Sequence, residues 1–149
     1  WLDDAKPTAE DPISIRSRVI VQQYSQSARD DVFQGIPPLK AVRMILPLAS
    51  TNQPLGRRVV GIWDARVAFF HAVMDELIIV RPPRQLRRHG WQWVLRRALY
   101  GTRRASMLFG KLIAEVLREA GFQVLQCIPN AYHHPQRDID VVVHGDDFM

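Results

Sequence analysis

The strongest pattern in the sequence is an apolar stripe between residues 108 and 120. Large apolar side chains recur there at every third or fourth position, charged side chains fill positions between them, and Gly121 follows as a helix-ending residue. A helix of this kind is stable only when its apolar face is buried against another layer of the protein. The fold must therefore supply a surface for this helix to cover.

Short runs of β-branched and apolar residues can supply that surface as a sheet. Strands are predicted at residues 13–24, 59–64, 77–80, 122–125 and 139–143. A second helix is predicted at residues 39–49 after Pro37-Pro38, and Pro47 is expected to kink it or end it early. The order strand, helix, strand, strand, basic helical stretch and strand indicates helices packed on a sheet, in an α+β or α/β fold.

The length and composition exclude several classes of protein. With 149 residues, of which 47% are hydrophobic, the chain is long enough for one folded domain with a core. We expect neither a membrane span nor a secretory leader, because there is no run of about 18 apolar residues and no basic-then-apolar start. The single cysteine, Cys127, excludes an internal disulfide framework and fits a reducing compartment.

The two ends of the sequence suggest a piece of a longer protein. Residues 1–12 are polar and contain two prolines, so they are predicted to form a flexible lead-in to a domain at residues 13–149. The chain starts with Trp1 rather than Met and stops at Met149, where a returning strand should begin. We therefore expect a fragment in which the partner strand of the last hairpin is missing.

Charge is distributed unevenly along the chain. The 20 Lys and Arg residues outnumber the 15 Asp and Glu residues, and no acidic residue lies between Glu76 and Glu115. A block of one sign indicates a polyanion partner, although a solvated Arg-rich surface gives the same pattern. Trp91, Trp93 and Tyr100 lie within the block and fit either stacking on nucleotide bases or packing in the core.

Carboxylates follow two of the predicted strands. Asp64 ends one strand, and Asp146 and Asp147 follow another after a turn. If the two strands are neighbours, the carboxylates converge at one end of the sheet, although Asp64 could also simply cap the turn that follows it. Hard oxygen ligands with no His or Cys at motif spacing favour Mg²⁺ or Mn²⁺. Two such ions would support nucleotidyl transfer, and the basic block would hold a nucleic acid backbone.

Several segments, in the same order along the chain, resemble the reverse transcriptases of copia-type (Pseudoviridae) LTR retrotransposons. Residues 18–26 (RVIVQQYSQ) are similar to the family's RLVAKGYSQ, and residues 64–71 (DARVAFFH) are similar to its DVKNAFLH. Phe33 with Leu39, Arg43 and the helix to Ala49 resembles the family's next block. Further matches are Pro82-Pro83, residues 99–105 (LYGTRRA, where the family has LYGLKQA), Gly121-Phe122 and residues 144–147 (HGDD, where the family has YVDD). The likeness covers residues 13–149, which makes it more specific than any one motif.

The resemblance implies a fold and a set of site residues. The fold is α+β, with the fingers and palm of a reverse transcriptase, helices packed on a mostly antiparallel sheet, and truncation before the thumb and RNase H. The implied catalytic residues are Asp64, Asp146 and Asp147, of which Asp64 and Asp146 are the principal ligands for Mg²⁺ or Mn²⁺. Phe69 takes the place of the aromatic gate that collides with a ribose 2′-hydroxyl.

The resemblance also implies substrates and partners. The enzyme would use an RNA template, a DNA primer and a deoxynucleoside triphosphate, together with the rest of a retrotransposon polyprotein and no membrane. Its location would be intracellular, in a cytoplasmic virus-like particle or the nucleus. The incoming triphosphate would be approached by Arg16 and Arg18. The expected nucleic-acid-binding residues are Arg96, Arg97, Tyr100, Arg103 and Arg104.

Two rival functions remain at this level. An RNA-dependent RNA polymerase also has a Gly-Asp-Asp turn, but Phe69 would exclude the 2′-hydroxyl that such an enzyme must accept. A degenerate, non-catalytic retroelement remnant would bind nucleic acid through its Arg-rich segment and polymerise nothing. The remnant hypothesis is favoured by Gln22-Gln23, Gln34-Gly35 and His144-Gly145, which stand where the family has Lys-Gly, Ser-Pro and Tyr-Val. Gly145 is expected to loosen its turn, and we expect the isolated chain to lack processive polymerase activity.

Overall fold

The fold is built on a five-stranded antiparallel sheet that carries the long helix. The computed structural model describes residues 2–5, 9, 14–24, 32, 34–50 and 58–149. The helices are α1 (Leu39–Ser50) and α2 (Ala105–Glu119). The strands are β1 (Leu2–Ala5), β2 (Ile15–Arg18), β3 (Trp63–Asp64), β4 (Ile79–Val80), β5 (Trp93–Val94), β6 (Gln123–Val124), β7 (Ala131–His134), β8 (Ile139–His144) and β9 (Asp147–Phe148). The large sheet has the order β3-β9-β8-β7-β6, and two further pairs, β1-β2 and β4-β5, lie apart from it.

Helix α2 follows the sequence prediction closely. It ends in a Schellman motif, in which Gly121 has φ +94°. The Gly121 N–H donates to the Arg118 carbonyl at 3.0 Å, and the Phe122 N–H donates to the Leu117 carbonyl at 2.9 Å. Glycine reaches this backbone conformation without strain, so the predicted stop at Gly121 is confirmed.

The core lies between α2 and the segment that follows Asp64. Phe109 of α2 is only 1% exposed and is the centre of a buried cluster. The other buried members are Ala68, Ala72, Ala98, Ala105, Met107 and Leu108. Many of these are alanines, so the backbone of the loop after Asp64 comes close to the helix. This packing fixes the position of that loop.

Helix α1 runs through its proline. Pro47 was expected to kink the helix or end it early; it does not end it early, because α1 continues to Ser50, whose hydroxyl donates to the Pro47 carbonyl at 2.7 Å. A proline removes one N–H donor, and this one lies only three residues from the end, so little helix is lost beyond it. The sequence also predicts a turn-rich connection at residues 51–56, which lie outside the described residues.

Several strands are shorter than predicted. Within residues 13–24 only β2 is a strand, and within residues 59–64 only β3 is a strand. Strand β3 lies at the surface, since Trp63 is 65% exposed. The predicted basic helical stretch is an α-helix only from Ala105 onward. Part of the Arg-rich sequence before it forms the β4–β5 hairpin instead. Short strands of two residues give a weak periodic signal, which explains these errors.

Four of the described strands were not predicted: β1, β5, β7 and β9. Strand β7 lies between β6 and β8, and burial of its Tyr132 raises the pKa of the phenol. Leu2–Ala5 pairs with β2, so this part of the predicted lead-in is a strand. Neither helix in the described part of the chain is long and apolar enough to cross a membrane. The observed mixture of helices and an antiparallel sheet agrees with the α+β prediction at this level.

Candidate functional site

The two adjacent carboxylates, Asp146 and Asp147, lie on a tight hairpin. Strand β9 returns directly after β8 and pairs His144 with Asp147, so Gly145 and Asp146 form a two-residue loop. Gly145 has φ +65°, and Asp146 is not among the residues with positive φ. This is the pattern of a type II′ turn, which favours glycine at its first central position. Gly145 therefore fits the turn rather than loosening it, and the returning strand that was expected to be missing is present as β9.

The third carboxylate, Asp64, is brought to this hairpin by strand pairing. β3 pairs with β9, so Asp64 lies directly opposite Asp147. The Ala65 N–H donates to the Asp146 carbonyl at 2.8 Å. The Asp64 and Asp147 pair is therefore of the type without mutual backbone hydrogen bonds, in which opposite Cβ atoms lie about 4.5–5.5 Å apart. Asp146, which lies in the turn immediately before Asp147, is half-buried.

The carboxylates at this hairpin suit a hard divalent cation whose remaining ligands come from water and a substrate. Within the described ranges, no group of three or more His, Cys, Asp or Glu side chains is placed to hold a metal ion by itself. Mg²⁺ commonly uses only one or two carboxylates, with waters and substrate phosphates as its other ligands. Asp64 and Asp147 are both exposed and face each other, and like charges in that position repel. A cation between them would relieve the repulsion.

The loop after Asp64 contains a strained residue. Val67 has φ +51°, in the left-handed region, and precedes a 3₁₀ helix at Ala68–His71. A β-branched residue is a clear outlier there, whereas asparagine tolerates this conformation. Ala68 is completely buried against the core, so the loop cannot easily relax. Strain of this kind persists where the surrounding structure fixes the backbone, and it clusters at functional sites.

Replacing Val67 with asparagine is expected to stabilise the protein by about 1 kcal/mol, because the strain of a left-handed β-branched residue is of that order. Val67 is 51% exposed, so little apolar burial is lost. The free energy of unfolding can be measured by urea denaturation. The matched control is Val73→Asn, an exposed valine without positive φ, for which no gain is expected. If Val67→Asn and Val73→Asn change the free energy of unfolding equally, the proposed strain at Val67 is wrong.

Phe69, the predicted gate, is clamped between two other rings. Its ring centroid lies 4.6 Å from that of Tyr100 and 5.8 Å from that of Phe109, in edge-to-face arrangements. Such pairs are favourable and restrict the side chain. Phe69 is half-buried and follows Asp64 on the same loop. A rigid aromatic side chain thus lies five residues after the first carboxylate.

The Leu-Tyr-Gly block contacts the segment at residues 19–24. The Val21 N–H donates to the Tyr100 carbonyl at 2.8 Å, and the Arg103 N–H donates to the Gln23 side-chain carbonyl at 2.8 Å. Gly101 has φ +87°, and a Cβ there would lie 1.9 Å from the Val21 carbonyl oxygen. The glycine of the block is therefore required by a close backbone approach, and Gln23 has a role in the same contact.

The arginines predicted to bind nucleic acid or triphosphate occupy different environments. Arg97 donates to the His71 carbonyl at 2.8 Å, and Arg104 pairs with Asp75 at 2.6 Å. His71 and Asp75 both lie in the segment after Asp64, so these two contacts stabilise the position of that segment. The remaining predicted residues are exposed Arg18 and Arg96, half-buried Tyr100 and Arg103, and Arg16, whose side chain lies outside what the structure describes.

Sequence reasoning missed a charged network that joins Arg58 to the start of strand β8. Arg58 pairs with Asp138 and with Asp140, and Asp140 also lies 2.8 Å from Nδ1 of His133. The hydrogen bond to Asp138 raises the pKa of Arg58 above its usual value. The network ties the segment leading to Asp64 to strand β8. The only sequence signal for this network was the i, i+2 spacing of Asp138 and Asp140. Their partner Arg58 could not be identified, because it is 80 residues away from Asp138 in sequence.

The comparison with known families agrees with this geometry. The family model described as reverse transcriptase (RNA-dependent DNA polymerase) matches residues 1–149. No curated protein and no solved structure matches the chain. The matched range includes β3, β8 and β9, and the pairing of β3 with β9 sets Asp64 opposite Asp147. The chain therefore belongs to the reverse transcriptase family.

Proposed function

We propose that the chain is the fingers and palm of an RNA-directed DNA polymerase from a copia-type retrotransposon polyprotein. The observation that carries the proposal is the pairing of β3 with β9, which sets Asp64 opposite Asp147 beside the turn that holds Asp146. Family membership supports the polymerase class. The order of the motifs along the chain supports the copia type.

The proposed chemistry is nucleotidyl transfer at a carboxylate pair. By the family resemblance, Asp64 and Asp146 are the proposed principal ligands, and Asp147, which the strand register sets directly opposite Asp64, is a further candidate ligand. Two bound Mg²⁺ or Mn²⁺ ions would activate the primer 3′-hydroxyl and stabilise the leaving pyrophosphate. The protein's own part is to hold the oxygens in place through the β8–β9 turn and the Ala65 to Asp146 hydrogen bond.

The proposed substrates are a deoxynucleoside triphosphate and a DNA primer on an RNA template. Phe69 is proposed to exclude the 2′-hydroxyl, with Arg16 and Arg18 directed to the triphosphate. The proposed contacts to template and primer are Arg96, Arg97, Tyr100, Arg103 and Arg104. The Arg97 and Arg104 contacts described above support an indirect part for these two, because they fix the loop that carries Phe69.

The second hypothesis, a non-catalytic remnant, loses some of its support in the described structure. Gly145 fits its turn, Gln23 accepts a hydrogen bond from Arg103, and the Gly35 carbonyl accepts one from Asn130. The fold therefore accommodates Gly145, Gln23 and Gly35, whereas the side-chain amide nitrogen of Gln34 is buried without a hydrogen-bond partner among the described residues. The remnant hypothesis predicts nucleic acid binding without metal or nucleotide binding, which separates it experimentally from the polymerase.

Replacing Phe69 with valine tests the proposed function. We expect the protein to bind dATP in the presence of Mn²⁺ more tightly than ATP, and Phe69→Val to reduce this preference by about tenfold, which corresponds to about 1.4 kcal/mol. The reason is that the shorter side chain no longer reaches the 2′-hydroxyl. Both affinities can be measured by equilibrium dialysis with labelled nucleotides.

The matched control for this test is the neighbouring phenylalanine. Phe70 is 46% exposed, so Phe70→Val removes the same atoms next to the proposed gate without removing the gate. We expect the preference for dATP to survive in Phe70→Val. The proposal fails if neither nucleotide binds, or if the two variants lose the preference equally.

A further inference from the structure

The β4–β5 hairpin is a basic arm built apart from the large sheet. We define the arm as residues 79–94; its strands pair Ile79 with Val94 and Val80 with Trp93. Between the strands it carries four arginines, one histidine and no acidic residue. A cleft of about 640 Å³ separates the base of the arm from residues 19–23. Pro82 is buried, but residues 84–92 of the arm are all exposed to solvent.

The tip of the arm has a defined structure. Pro82 is fully buried and anchors the first strand, and its carbonyl accepts a hydrogen bond from Arg87 Nε at 3.1 Å. The Trp91 N–H donates to the Arg88 carbonyl at 3.1 Å, and Gly90 between them has φ +75°. These bonds turn the chain so that Trp91 and the neighbouring arginines leave the same short loop. A preformed surface of this kind binds without a large ordering penalty.

The arginines of the basic block divide into two groups. Arg97 and Arg104 bond to groups within the fold. Within the part of the chain that the structure describes, the guanidinium groups of Arg84 and Arg88 have no ion pair or hydrogen bond, and both side chains are exposed. Charge at the arm is thus not neutralised by the protein itself. Its complement is a polyanion.

An exposed tryptophan accompanies these charges. Trp91 is 66% exposed, and Trp93 at the base is 38% exposed. Arginine beside an accessible indole ring is the combination that binds unpaired bases, because the ring stacks on a base and the guanidinium contacts phosphate. A duplex hides its base faces in the stack, so Trp91 would add nothing to duplex binding.

We infer that the arm binds an unpaired nucleic acid strand, with Trp91 stacking on a base and Arg84 and Arg88 contacting phosphates. The inference rests on the proposed function for the identity of the polyanion, and it adds a contact region away from the carboxylates. It requires neither a metal ion nor a nucleotide triphosphate.

The test is fluorescence anisotropy with a labelled oligo(U) RNA of about 20 nucleotides, in EDTA, with salt varied between about 50 and 200 mM. We expect Trp91→Leu to weaken binding about tenfold, and Trp91→Phe, which retains a stacking ring, to change it less than about threefold. The double change Arg84→Ala with Arg88→Ala should lower the slope of log affinity against log salt by about 1.4, since each phosphate contact on a single strand contributes about 0.7.

The control is the double change Arg118→Ala with Arg137→Ala, which removes two exposed arginines outside the arm. It should leave the slope unchanged. An equal loss of slope in both double variants, an unchanged affinity of Trp91→Leu, or equally tight Trp91-dependent binding of duplex RNA or of phosphatidylserine vesicles would overturn the inference. Because EDTA removes divalent metal, a failed metal or nucleotide titration at the carboxylates would leave this result standing.

Discussion

Replacing Gly101 with alanine is expected to destabilise the protein by about 3 kcal/mol or more. An alanine at φ +87° is strained by about 1–2 kcal/mol. In addition, its Cβ would lie 1.9 Å from the Val21 carbonyl oxygen and 2.8 Å from a methyl carbon of Ile20. The backbone at Val21 cannot move away cheaply, because its N–H is bonded to the Tyr100 carbonyl. Overpacking of this kind adds about 1–3 kcal/mol.

Gly90 provides the matched control for Gly101. It also has positive φ, at +75°, but a Cβ there would have no atom within 4 Å. Gly90→Ala should therefore lose only the strain, about 1 kcal/mol. Urea denaturation followed by circular dichroism measures both changes. If the two variants lose the same stability, the close approach of residues 19–24 to the Leu-Tyr-Gly block is wrong.

The parts of the fold that could be predicted from sequence are those set by local patterns. Helix α2 and its stop at Gly121 depend on side chains three or four residues apart and on one glycine. Strand β8 and the turn after it likewise depend on consecutive residues. Predictions of this kind succeed because the interactions that decide them lie within one element.

The parts that could not be predicted depend on distant pairing. Strand β7 reads Ala-Tyr-His-His, which has no clear alternation, and it is a strand because β6 and β8 both pair with it. The position of Asp64 opposite Asp147 likewise depends on the register between strands far apart in sequence. The sequence suggested that these strands could be neighbours, but it contained no information about which of the two adjacent aspartates would face Asp64.

The arginines show a similar limit. A count of charges identifies a basic block, but it does not separate arginines that bond within the fold from those that face solvent. Arg97 and Arg104, expected at the nucleic acid surface, hold the loop after Asp64. Arg84 and Arg88, which were not singled out, lie on the exposed arm. The folded structure is needed to show which groups each arginine contacts.

Replacing Asp64 with asparagine is expected to weaken Mn²⁺ binding at least about tenfold and to leave the protein slightly more stable without metal. The carboxylate of Asp64 faces that of Asp147 across the strands, and removing one of two opposed like charges stabilises a pair by about 0.2–1 kcal/mol. The same change removes one of the few hard oxygen ligands at the site. A gain in stability together with a loss of metal affinity would be typical of a metal site and not of damage to the fold.

The central claim is that the paired strands form a divalent metal site. It is tested most directly by titrating Mn²⁺ into the protein and measuring free Mn²⁺ by electron paramagnetic resonance. The original protein and Glu115→Gln, an exposed carboxylate change on α2, should bind Mn²⁺ alike, whereas Asp64→Asn and Asp146→Asn should bind at least about tenfold more weakly. Unchanged Mn²⁺ binding in both aspartate variants would contradict the claim.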